Sequence, residues 1–350
     1  MNTRGQEGQG RPGPGAELPP AEVLRMMTTG YWLSQAIHTA AKLGVADQLA
    51  REPASAEELA ARLGVHGPTL HRLLRTLASA GIFAEVESAR FTLTPMGQLL
   101  RSDVPGSVRP FVLWAGHATT WAAWGELEAS VRTGEAAFPT VHGTDVWSYY
   151  RERPELNALF DGAMAGMPKP LIDGVLAAYD FGAFKSIVDV GGGKGQLLAA
   201  ILGASPAARG TLFDQPQVIA GAAPLLAAAN VADRVAVVGG DFFAEVPRGG
   251  DAYLLKMILH DWNDERAAKI LATCRAAMAP GSKLVIVERV IPPGNGPHLA
   301  KHLDLMMLVF FGSKERTEPE FSALLAGAGF RLDAVRPAQF GLAVLEATPV

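Results

Sequence analysis

A histidine that could act as a base follows a hydrophobic run in the stretch LLKMILHDWNDE, residues 254–265. An imidazole has an ordinary pKa near ~6.5, so a positioned histidine can take a proton from a hydroxyl group at neutral pH. The same stretch fits an ordinary histidine near the start of a helix. Taken alone, the stretch favours this second interpretation of His260, so other parts of the chain must decide.

A glycine-rich turn lies earlier in the chain, in IVDVGGGKG, residues 187–195. A hydrophobic strand runs into Gly191-x-Gly193-x-Gly195 and then into a predicted helix, and glycines at such a turn let a ligand approach the backbone. The dinucleotide fingerprint would need glycine where the chain has Gln196, and a P-loop would need Ser or Thr after its lysine. The spacing matches the loop of enzymes that bind S-adenosylmethionine (SAM), with a plain tight turn as the alternative.

Acidic residues stand at the ends of successive predicted strands. Asp214 lies about 25 residues after Asp189, where it could accept hydrogen bonds from two ribose hydroxyls. Asp241 and Phe242 follow the next strand and offer an acceptor for an adenine amino group beside an aromatic face. Open α/β sheets bind ligands at the carboxyl ends of their strands. Each acid alone could cap a helix, but together they predict a cofactor site.

His260 follows the fourth predicted strand, at the same sheet edge as the predicted cofactor. Methyl transfer from a sulfonium needs a placed nucleophile that loses its proton, and a phenol with a pKa near ~10 can pass that proton to an imidazole. Two later acids, Glu288 and Glu315, could hold the imidazole and balance its charge. For Glu315 the alternative is a surface ion pair with Lys314 or Arg316.

Helical patterning in the first half of the chain includes a winged-helix pattern. Ser55 and Glu58 form a capping box for a short helix, and a second helix is predicted over residues 68–80. The alternating segments GIFAEV and RFTLT then predict a small hairpin. This block could bind DNA or form a dimer, and dimerisation is the favoured interpretation. The basic residues that DNA binding would use are His71, Arg72 and Arg75.

From residue 185, short β-rich runs alternate with helical segments, which is the pattern of a mainly parallel sheet. The runs are SIVDV, RGTLFD, RVAVVGGD, DAYLLK and KLVIVERV, with helices predicted at 194–203, 217–229 and 264–279. Thr317 and Glu320 form another capping box, and FRLDAVRPA with GLAVLEAT predicts a terminal hairpin. The predicted fold class is α/β, a doubly wound Rossmann-like domain after an N-terminal, mainly α-helical winged-helix domain.

Composition and charge exclude several classes of protein. The 350 residues include 31 basic and 35 acidic side chains, and the resulting net charge of −4 argues against nonspecific nucleic-acid binding. Residues 1–20 are rich in Gly and Pro and predict a disordered tail without a targeting signal. No run approaches the ~18 apolar residues that span a membrane. The single cysteine, Cys274, fits a reducing compartment, so we expect a cytoplasmic protein with this thiol packed inside a helix.

The motifs VDVGGGKG, GGDFF, LKMILHDWNDE, LVIVERVIP and GSKERTEPEF occur in the order and spacing of the plant caffeic-acid-type O-methyltransferases. The chain also resembles the related bacterial enzymes that tailor aromatic polyketides and other antibiotics. The resemblance covers nearly everything after the N-terminal tail. It implies a metal-independent SAM enzyme that methylates a hydroxyl of an aromatic natural-product intermediate. It also implies a homodimer of intertwined winged-helix domains that do not bind DNA.

The resemblance also implies roles for individual residues. His260 matches the base, and Glu288 and Glu315 match the acids beside it. Trp262 lies beside the site and is structural. The predicted cofactor-binding residues are Gly191, Gly193, Asp214, Asp241, Phe242 and Lys256. The predicted acceptor-binding residues are Met164, Met257, Asp304 and Met307, to which we add Asp261, the neighbour of the base.

We divide the chain into four predicted segments: a disordered tail (1–20), a winged-helix dimerisation domain (21–106), a helical connector contributing to the acceptor pocket (107–180) and a SAM-binding methyltransferase domain (181–350). The sequence departs from the family at Phe310-Phe311-Gly312-Ser313. This departure bears on which acceptor is bound more than on which reaction is catalysed. Two other functions stay open. One is a SAM-binding hydroxylase or decarboxylase of the same fold, and the other is a winged-helix regulator that senses a ligand.

Overall fold

The structure is a computed structural model that describes residues 18–164 and 169–350. The predicted disordered tail lies almost wholly outside the described residues, and a helix already begins at Pro20. Two compact units meet in the chain at His117 and Ala118. The limits of the four predicted segments stay predictions.

The first unit contains the winged helix that the sequence predicts. Ser55 accepts a hydrogen bond from the backbone of Glu58, and the Glu58 carboxylate accepts one from the backbone of Ser55, so the capping box forms. Three short strands form an antiparallel sheet beside the two helices: β1 (Ala54–Ser55), β2 (Phe83–Val86) and β3 (Arg90–Leu93), in the order β1-β3-β2. The helices are α1 (Pro20–Thr28), α2 (Gly30–Leu43), α3 (Val45–Leu49), α4 (Ala56–Leu63), α5 (Gly67–Ser79), α6 (Pro95–Gln98) and α7 (Arg109–Ala115).

Apolar residues at helical spacing explain the core of this unit. Leu70, Leu74 and Leu77 recur on one face of α5 and are buried with the hairpin residues Phe83 and Phe91. α1, by contrast, buries none of its residues although it carries several apolar side chains. The first unit therefore has a closed core and also an apolar helix that this core does not use.

The second unit contains an α/β sheet, which confirms the predicted fold class. Its strands are β4 (Ser186–Val190), β5 (Arg209–Asp214), β6 (Val235–Gly239), β7 (Ala252–Lys256), β8 (Lys283–Ile291), β9 (Arg316–Thr317), β10 (Phe330–Pro337) and β11 (Leu342–Pro349). The order is β10-β11-β8-β7-β4-β5-β6, and β9 pairs with the end of β8. Strands β4 to β8 are parallel, whereas β10 and β11 form the predicted antiparallel hairpin.

Helices surround this sheet and fill the segment before it. They are α8 (Ala118–Gly125), α9 (Leu127–Thr133), α10 (Ala137–His142), α11 (Val146–Arg151), α12 (Pro154–Met164), α13 (Lys169–Ala178), α14 (Gln196–Ala204), α15 (Pro216–Ile219), α16 (Ala223–Ala228), α17 (Asp264–Ala277), α18 (Leu299–Phe311) and α19 (Glu318–Gly327). The prediction of one helix over 217–229 is wrong. Pro224 cannot stand in a helix interior, so a second helix begins there with this proline in its first turn. Within the described ranges, none of the helices has both the length and the apolar character needed to cross a bilayer.

Continuous apolar runs explain why the central strands lie in the middle of the sheet. In β7 and β8 the side chains are buried on both faces, as expected for parallel strands covered by helices. Leu254 and Val287 pack in the core on one face, and Leu255 and Ile286 pack on the other. The carboxyl ends of β4 to β8 therefore meet at one edge, and the core fixes where that edge lies.

Cys274 gives a direct test of this core, because it lies fully buried in α17 and burial raises the pKa of its thiol to about 12. We expect the native protein to react with a thiol reagent at least ~10³-fold more slowly than the urea-unfolded chain, since reaction needs local opening. Reaction kinetics followed by absorbance measure this ratio. The control is Ser322→Cys in a Cys274→Ala background, which places a thiol on the exposed face of α19 and should react at once. Native Cys274 reacting as fast as that control would contradict the packing.

Candidate active site

The glycine-rich turn connects β4 to α14 at the carboxyl edge of the sheet. Gly191 and Gly193 have φ angles of +69° and +62°, a region that side chains other than glycine rarely adopt. A Cβ at Gly191 would lie 2.5 Å from Cδ1 of Ile258, whereas a Cβ at Gly193 would meet no atom within 4 Å. Gly191 therefore allows close packing inside the protein, and Gly193 leaves open space in front of the loop.

Asp214 links this loop to the end of β5. One carboxylate oxygen accepts a hydrogen bond from the backbone N–H of Gly193 (2.8 Å), and the other accepts one from Gln215 (2.6 Å). Burial raises the pKa of Asp214, while these two bonds oppose that shift. Each oxygen keeps a second lone pair, so the carboxylate can still accept bonds from two hydroxyls of a ligand. The geometry fits the predicted ribose contact.

The remaining predicted cofactor residues surround the same loop. Phe242 reaches within 3.5 Å of the Cβ position of Gly191 and packs edge-to-face against Phe243. Asp241 is exposed, and its side chain accepts a hydrogen bond from the backbone of Phe243. Lys256, at the end of β7, lowers the pKa of Asp214 through its charge. These residues therefore form one open site around the glycine loop. Phe242 gives it an aromatic wall, and Asp214 and Asp241 give it carboxylates.

Asp189 is a buried acid beneath the loop, one of the acids at strand ends that predict the cofactor site, for which the sequence predicted no individual contact. A Cβ at Gly192 would lie 2.4 Å from its carboxylate, and burial raises its pKa to about 7. Among the described residues neither of its oxygens has a hydrogen-bond partner. A buried polar group without a partner is costly, which supports a ligand with donors at this loop. Its place at the end of a strand, two residues before the first glycine of the loop, was the available sequence signal.

His260 lies in a short 3₁₀ turn, Leu259–Asp261, between β7 and α17, and only 7% of its surface is exposed. Its Nδ1 atom is 3.1 Å from a carboxylate oxygen of Glu315. Its Nε2 atom is 3.4 Å from a carboxylate oxygen of Asp261. Glu315 is buried and contacts the imidazole, so the structure does not show the alternative surface pair with Lys314 or Arg316.

Glu288 contacts the backbone of this turn and does not hydrogen bond to the imidazole. One of its oxygens accepts hydrogen bonds from the N–H groups of Ile258 (3.0 Å), Leu259 (2.8 Å) and His260 (3.4 Å). The three groups converge because Met257 has a φ of +52° and Ile258 then returns to the right-handed region. Such an alternation forms an anion-binding nest, and a left-handed non-glycine residue costs about 1–3 kcal/mol that the nest must offset.

The electrostatics of His260 result from opposing effects. Burial lowers its pKa, but the carboxylates of Asp261, Glu288 and Glu315 outweigh burial and raise the pKa to about 10. Burial raises the pKa of Glu288 to about 7, against the opposing charge of His260. The site therefore stabilises a positively charged imidazolium, which is the form that a base acquires when it accepts a proton.

The side chains of His260, Glu288 and Glu315 also include one ring nitrogen and two carboxylate oxygens that lie within 4.8 Å of one another. Nitrogen and carboxylate ligands of this kind can hold a transition metal. Here Nδ1 of His260 is engaged with Glu315, and one oxygen of Glu288 holds backbone N–H groups. These atoms thus already contact the protein itself, and a metal-independent site stays a prediction.

The predicted acceptor residues lie at different distances from this centre. Asp261 belongs to the turn itself, and Met257 lies two residues before it. Asp304 on α18 accepts a hydrogen bond from the backbone N–H of Glu315 (3.0 Å). Met307 is buried in α18, and Met164 is 47% exposed where α12 ends. Among the described contacts, none brings these two methionines to His260. Their acceptor roles stay predictions.

The departure at Phe310 and Phe311 belongs to an aromatic cluster in the second unit. Phe310 packs against Phe138 with a centroid distance of 5.7 Å, and Phe311 packs against Trp147 at 5.2 Å. Tyr150 and Phe160 extend the cluster. Phe138 and Phe310 are fully buried, so at least these two build core.

Comparisons with known proteins give the family. Residues 124–331 match the O-methyltransferase domain, and residues 26–103 match the O-methyltransferase dimerisation domain. The chain is 47% identical to the phenazine O-methyltransferase PhzM of Lysobacter antibioticus over 95% of this chain and 97% of that protein.

Solved structures show the same similarity. The crystal structure of LaPhzM matches with a TM-score of 0.89 and 47% identity, covering 95% of this chain and 100% of that one. An O-methyltransferase from neocarzinostatin biosynthesis, NcsB1, was solved in complex with SAM and 2-hydroxy-5-methyl naphthoic acid. It matches with a TM-score of 0.78 and 34% identity, covering 91% of this chain and 96% of that one.

Asp214→Ala should weaken SAM binding by about 2 kcal/mol, roughly 30-fold, because two ribose hydroxyls lose a charged acceptor. Isothermal titration calorimetry measures the affinity. Asp251→Ala is the matched control, since Asp251 also accepts two backbone N–H groups but lies before β7, at the opposite end of the strands. It should bind SAM normally. Unchanged affinity in a folded Asp214→Ala protein would move the ribose site elsewhere.

Proposed function

Because the chain belongs to the O-methyltransferase family and is a SAM-dependent methyltransferase, we propose that it methylates a hydroxyl group of an aromatic small molecule, with His260 as general base. The observation that carries this proposal is the buried contact between Nδ1 of His260 and Glu315, 3.1 Å long, at the sheet edge that also holds the glycine loop. The acceptor belongs to natural-product biosynthesis in this proposal, as in the named relatives.

The cofactor contacts in this proposal come from separate strand ends. Gly193 leaves room in front of the loop, Asp214 would bind the ribose, and Asp241 with Phe242 would bind the adenine. When bound, SAM supplies an electrophilic methyl group on a positively charged sulfur. The unpartnered carboxylate of Asp189 supports a ligand with donor groups at the loop.

The hydrogen bonds of His260 support one direction of proton transfer. In its neutral form, whose fraction grows as the pH rises toward the pKa of about 10, the imidazole donates Nδ1–H to Glu315 and keeps the lone pair of Nε2, which can accept the hydroxyl proton of the acceptor. The resulting imidazolium lies between the carboxylates of Glu315 and Asp261. Their charges raise the pKa of His260 toward that of a phenol, near ~10, so the proton can pass as the new bond forms.

The competing functions differ in their products. A hydroxylase or decarboxylase of the same fold needs no base to deprotonate a hydroxyl, whereas this chain keeps His260 with two buried acids around its turn. Incubation with SAM and 2-hydroxy-5-methyl naphthoic acid or a hydroxyphenazine, followed by mass spectrometry, separates them: methylation adds CH₂, and the alternatives add oxygen or remove CO₂. A DNA-shift assay tests whether the protein is a DNA-binding regulator instead. We expect no salt-sensitive binding to DNA.

Homodimerisation through the first unit is the second part of the proposal. The match to the dimerisation domain covers residues 26–103, and α1 with the start of α2 exposes Met26, Met27 and Trp32, each more than 60% accessible. Exposed apolar patches of this kind mark interaction sites. The single buried thiol, Cys274, supports a cytoplasmic location for the dimer.

His260→Ala should lower the methylation rate about 10²–10⁴-fold, the range for a removed general base, and should keep SAM affinity. Its residual rate should rise with pH, because phenolate that forms in solution no longer needs the imidazole. Steady-state kinetics with a phenol that the enzyme methylates measure the rate, and calorimetry with SAM measures the affinity. A wild-type rate at neutral pH would exclude His260 as the base and leave placement beside SAM as the source of catalysis.

Glu315→Gln should shift the pH dependence of the wild-type rate. The base acts in its neutral form, so the rate rises with pH up to the pKa of His260 in the complex. Glu315 raises that pKa through its charge and hydrogen bond, so its removal should move the rising limb to lower pH. In the His260→Ala background, Glu315→Gln should lower the rate little further, since the effects of residues that act as a unit are not additive. If the rising limb did not move, Glu315 would not be setting the pKa of His260.

Trp32→Glu combined with Met27→Glu should convert the protein from a dimer to a monomer, because two charges would enter an apolar interface. Sedimentation equilibrium should give twice 36.9 kDa for the wild type and 36.9 kDa for the variant. Phe340→Glu is the control, since Phe340 is 61% exposed in the second unit and should leave the dimer intact. A monomeric wild-type protein would contradict the proposal.

A further inference from the structure

Arg316 is a buried charge that the proposed mechanism leaves without a role. Its side chain has no exposed surface, although it begins β9 within the charged stretch KERTE, residues 314–318. Its guanidinium donates through Nε and Nη2 to one carboxylate oxygen of Asp264 (3.0 and 2.8 Å). It also donates through Nη1 to the carbonyl of Leu259 and through Nη2 to the carbonyl of Trp262, each at 2.9 Å.

These contacts surround the turn that carries the base. Leu259 precedes His260, and Trp262 follows the turn directly, so the two carbonyls lie on either side of the histidine. Burying a guanidinium is costly unless its donors are satisfied. Among the described residues, the carboxylate that forms an ion pair with Arg316 is that of Asp264, whose side chain is 55% exposed, so much of the compensation comes from the two carbonyls. The turn therefore supplies carbonyls that satisfy the buried guanidinium, and the guanidinium in turn holds those carbonyls in place.

The turn is held from two directions. Glu288 accepts the backbone N–H groups of residues 258–260, and Arg316 donates to the carbonyls on either side of His260. The pairing of β8 with β9, where Val290 is aligned with Arg316, places both charged residues beside the turn. Glu315, the neighbour of Arg316, holds the imidazole itself.

We infer that Arg316 is a positioning residue for His260, and that it fixes the direction of the imidazole by holding the carbonyls of its turn. The inference rests on the proposed role of His260 as base. Lysine cannot replace this group, because it is a point charge without the planar fork that reaches Asp264 and two carbonyls together. A displacement of about 1 Å at a reacting group can cost roughly 10²-fold in rate.

Arg316→Lys should therefore lower kcat by about 10–10²-fold, while SAM affinity changes by less than about twofold, since the proposed ribose and adenine contacts lie at or just after the ends of β5 and β6. Arg234→Lys is the matched control. Arg234 also donates to backbone carbonyls, those of Leu202, Ser205, Pro206 and Ala208, but at the amino end of β5, the edge opposite the site. This variant should lose stability with kcat unchanged.

Two measurements distinguish a positioning role from a purely structural one, because a loss of folded protein alone would not change them. The rising limb of the pH–rate profile should shift to lower pH in Arg316→Lys, because a displaced imidazole loses its contact with Glu315. In the His260→Ala background, Arg316→Lys should cost less than about twofold more, since the group that it positions is gone. The inference would be overturned by additive losses of rate, or by an unmoved rising limb together with a kcat as high as that of Arg234→Lys.

A spectroscopic readout needs no acceptor. With ¹⁵N-labelled histidine, the Nδ1 proton of His260 should give a downfield resonance in the wild type and in Arg234→Lys, and lose it in Arg316→Lys and Glu315→Gln. Retention of this resonance in Arg316→Lys would reject the positioning role. His260→Ala with a wild-type rate would reject the proposed base instead. If His260→Ala is inactive and Arg316→Lys is fully active, only the inference about Arg316 fails.

Discussion

The carboxylate of Glu288 is the interaction on which the arrangement of the active site depends. It is fully buried, and it accepts three successive backbone N–H groups from the turn after β7. The turn can present these groups because Met257 adopts a left-handed conformation, which is unfavourable without such compensation. The direction in which His260 leaves the backbone is thus set by a charge on the neighbouring strand, β8.

A parallel sheet makes this dependence possible. Because β4 to β8 run in the same direction, their carboxyl ends bring the glycine loop, Asp214 and His260 to one edge, although they are far apart in sequence. The acids at this edge perform different tasks. Asp214 and Glu288 hold backbone N–H groups, whereas Glu315 contacts the imidazole. Acidic residues therefore both shape the loops and tune the imidazole of His260.

The electrostatics follow from the same burial. A histidine in an apolar environment would have a lowered pKa, but the surrounding carboxylates reverse the sign of the shift. That reversal favours the positively charged imidazolium, the form that the base would acquire in the proposed reaction. It also explains why the acids are enclosed with it, because charges in a region of low dielectric act strongly on one another.

The sequence by itself determined the fold class, the winged helix, both capping boxes and the strand ends, since hydrophobic period and capping chemistry are local properties. It also predicted the residues of the site and the family whose motifs they resemble, and the comparisons confirm the family. One local error, the helix over 217–229, came from passing over Pro224. Only the tertiary structure decided what the buried charged side chains contact: Glu288 contacts the backbone, Glu315 contacts the imidazole, and Arg316 contacts the carbonyls of the turn. These partners lie more than 25 residues apart in the chain, and the choice between a surface ion pair and a buried contact depends on which strand lies beside the turn, which no local pattern encodes.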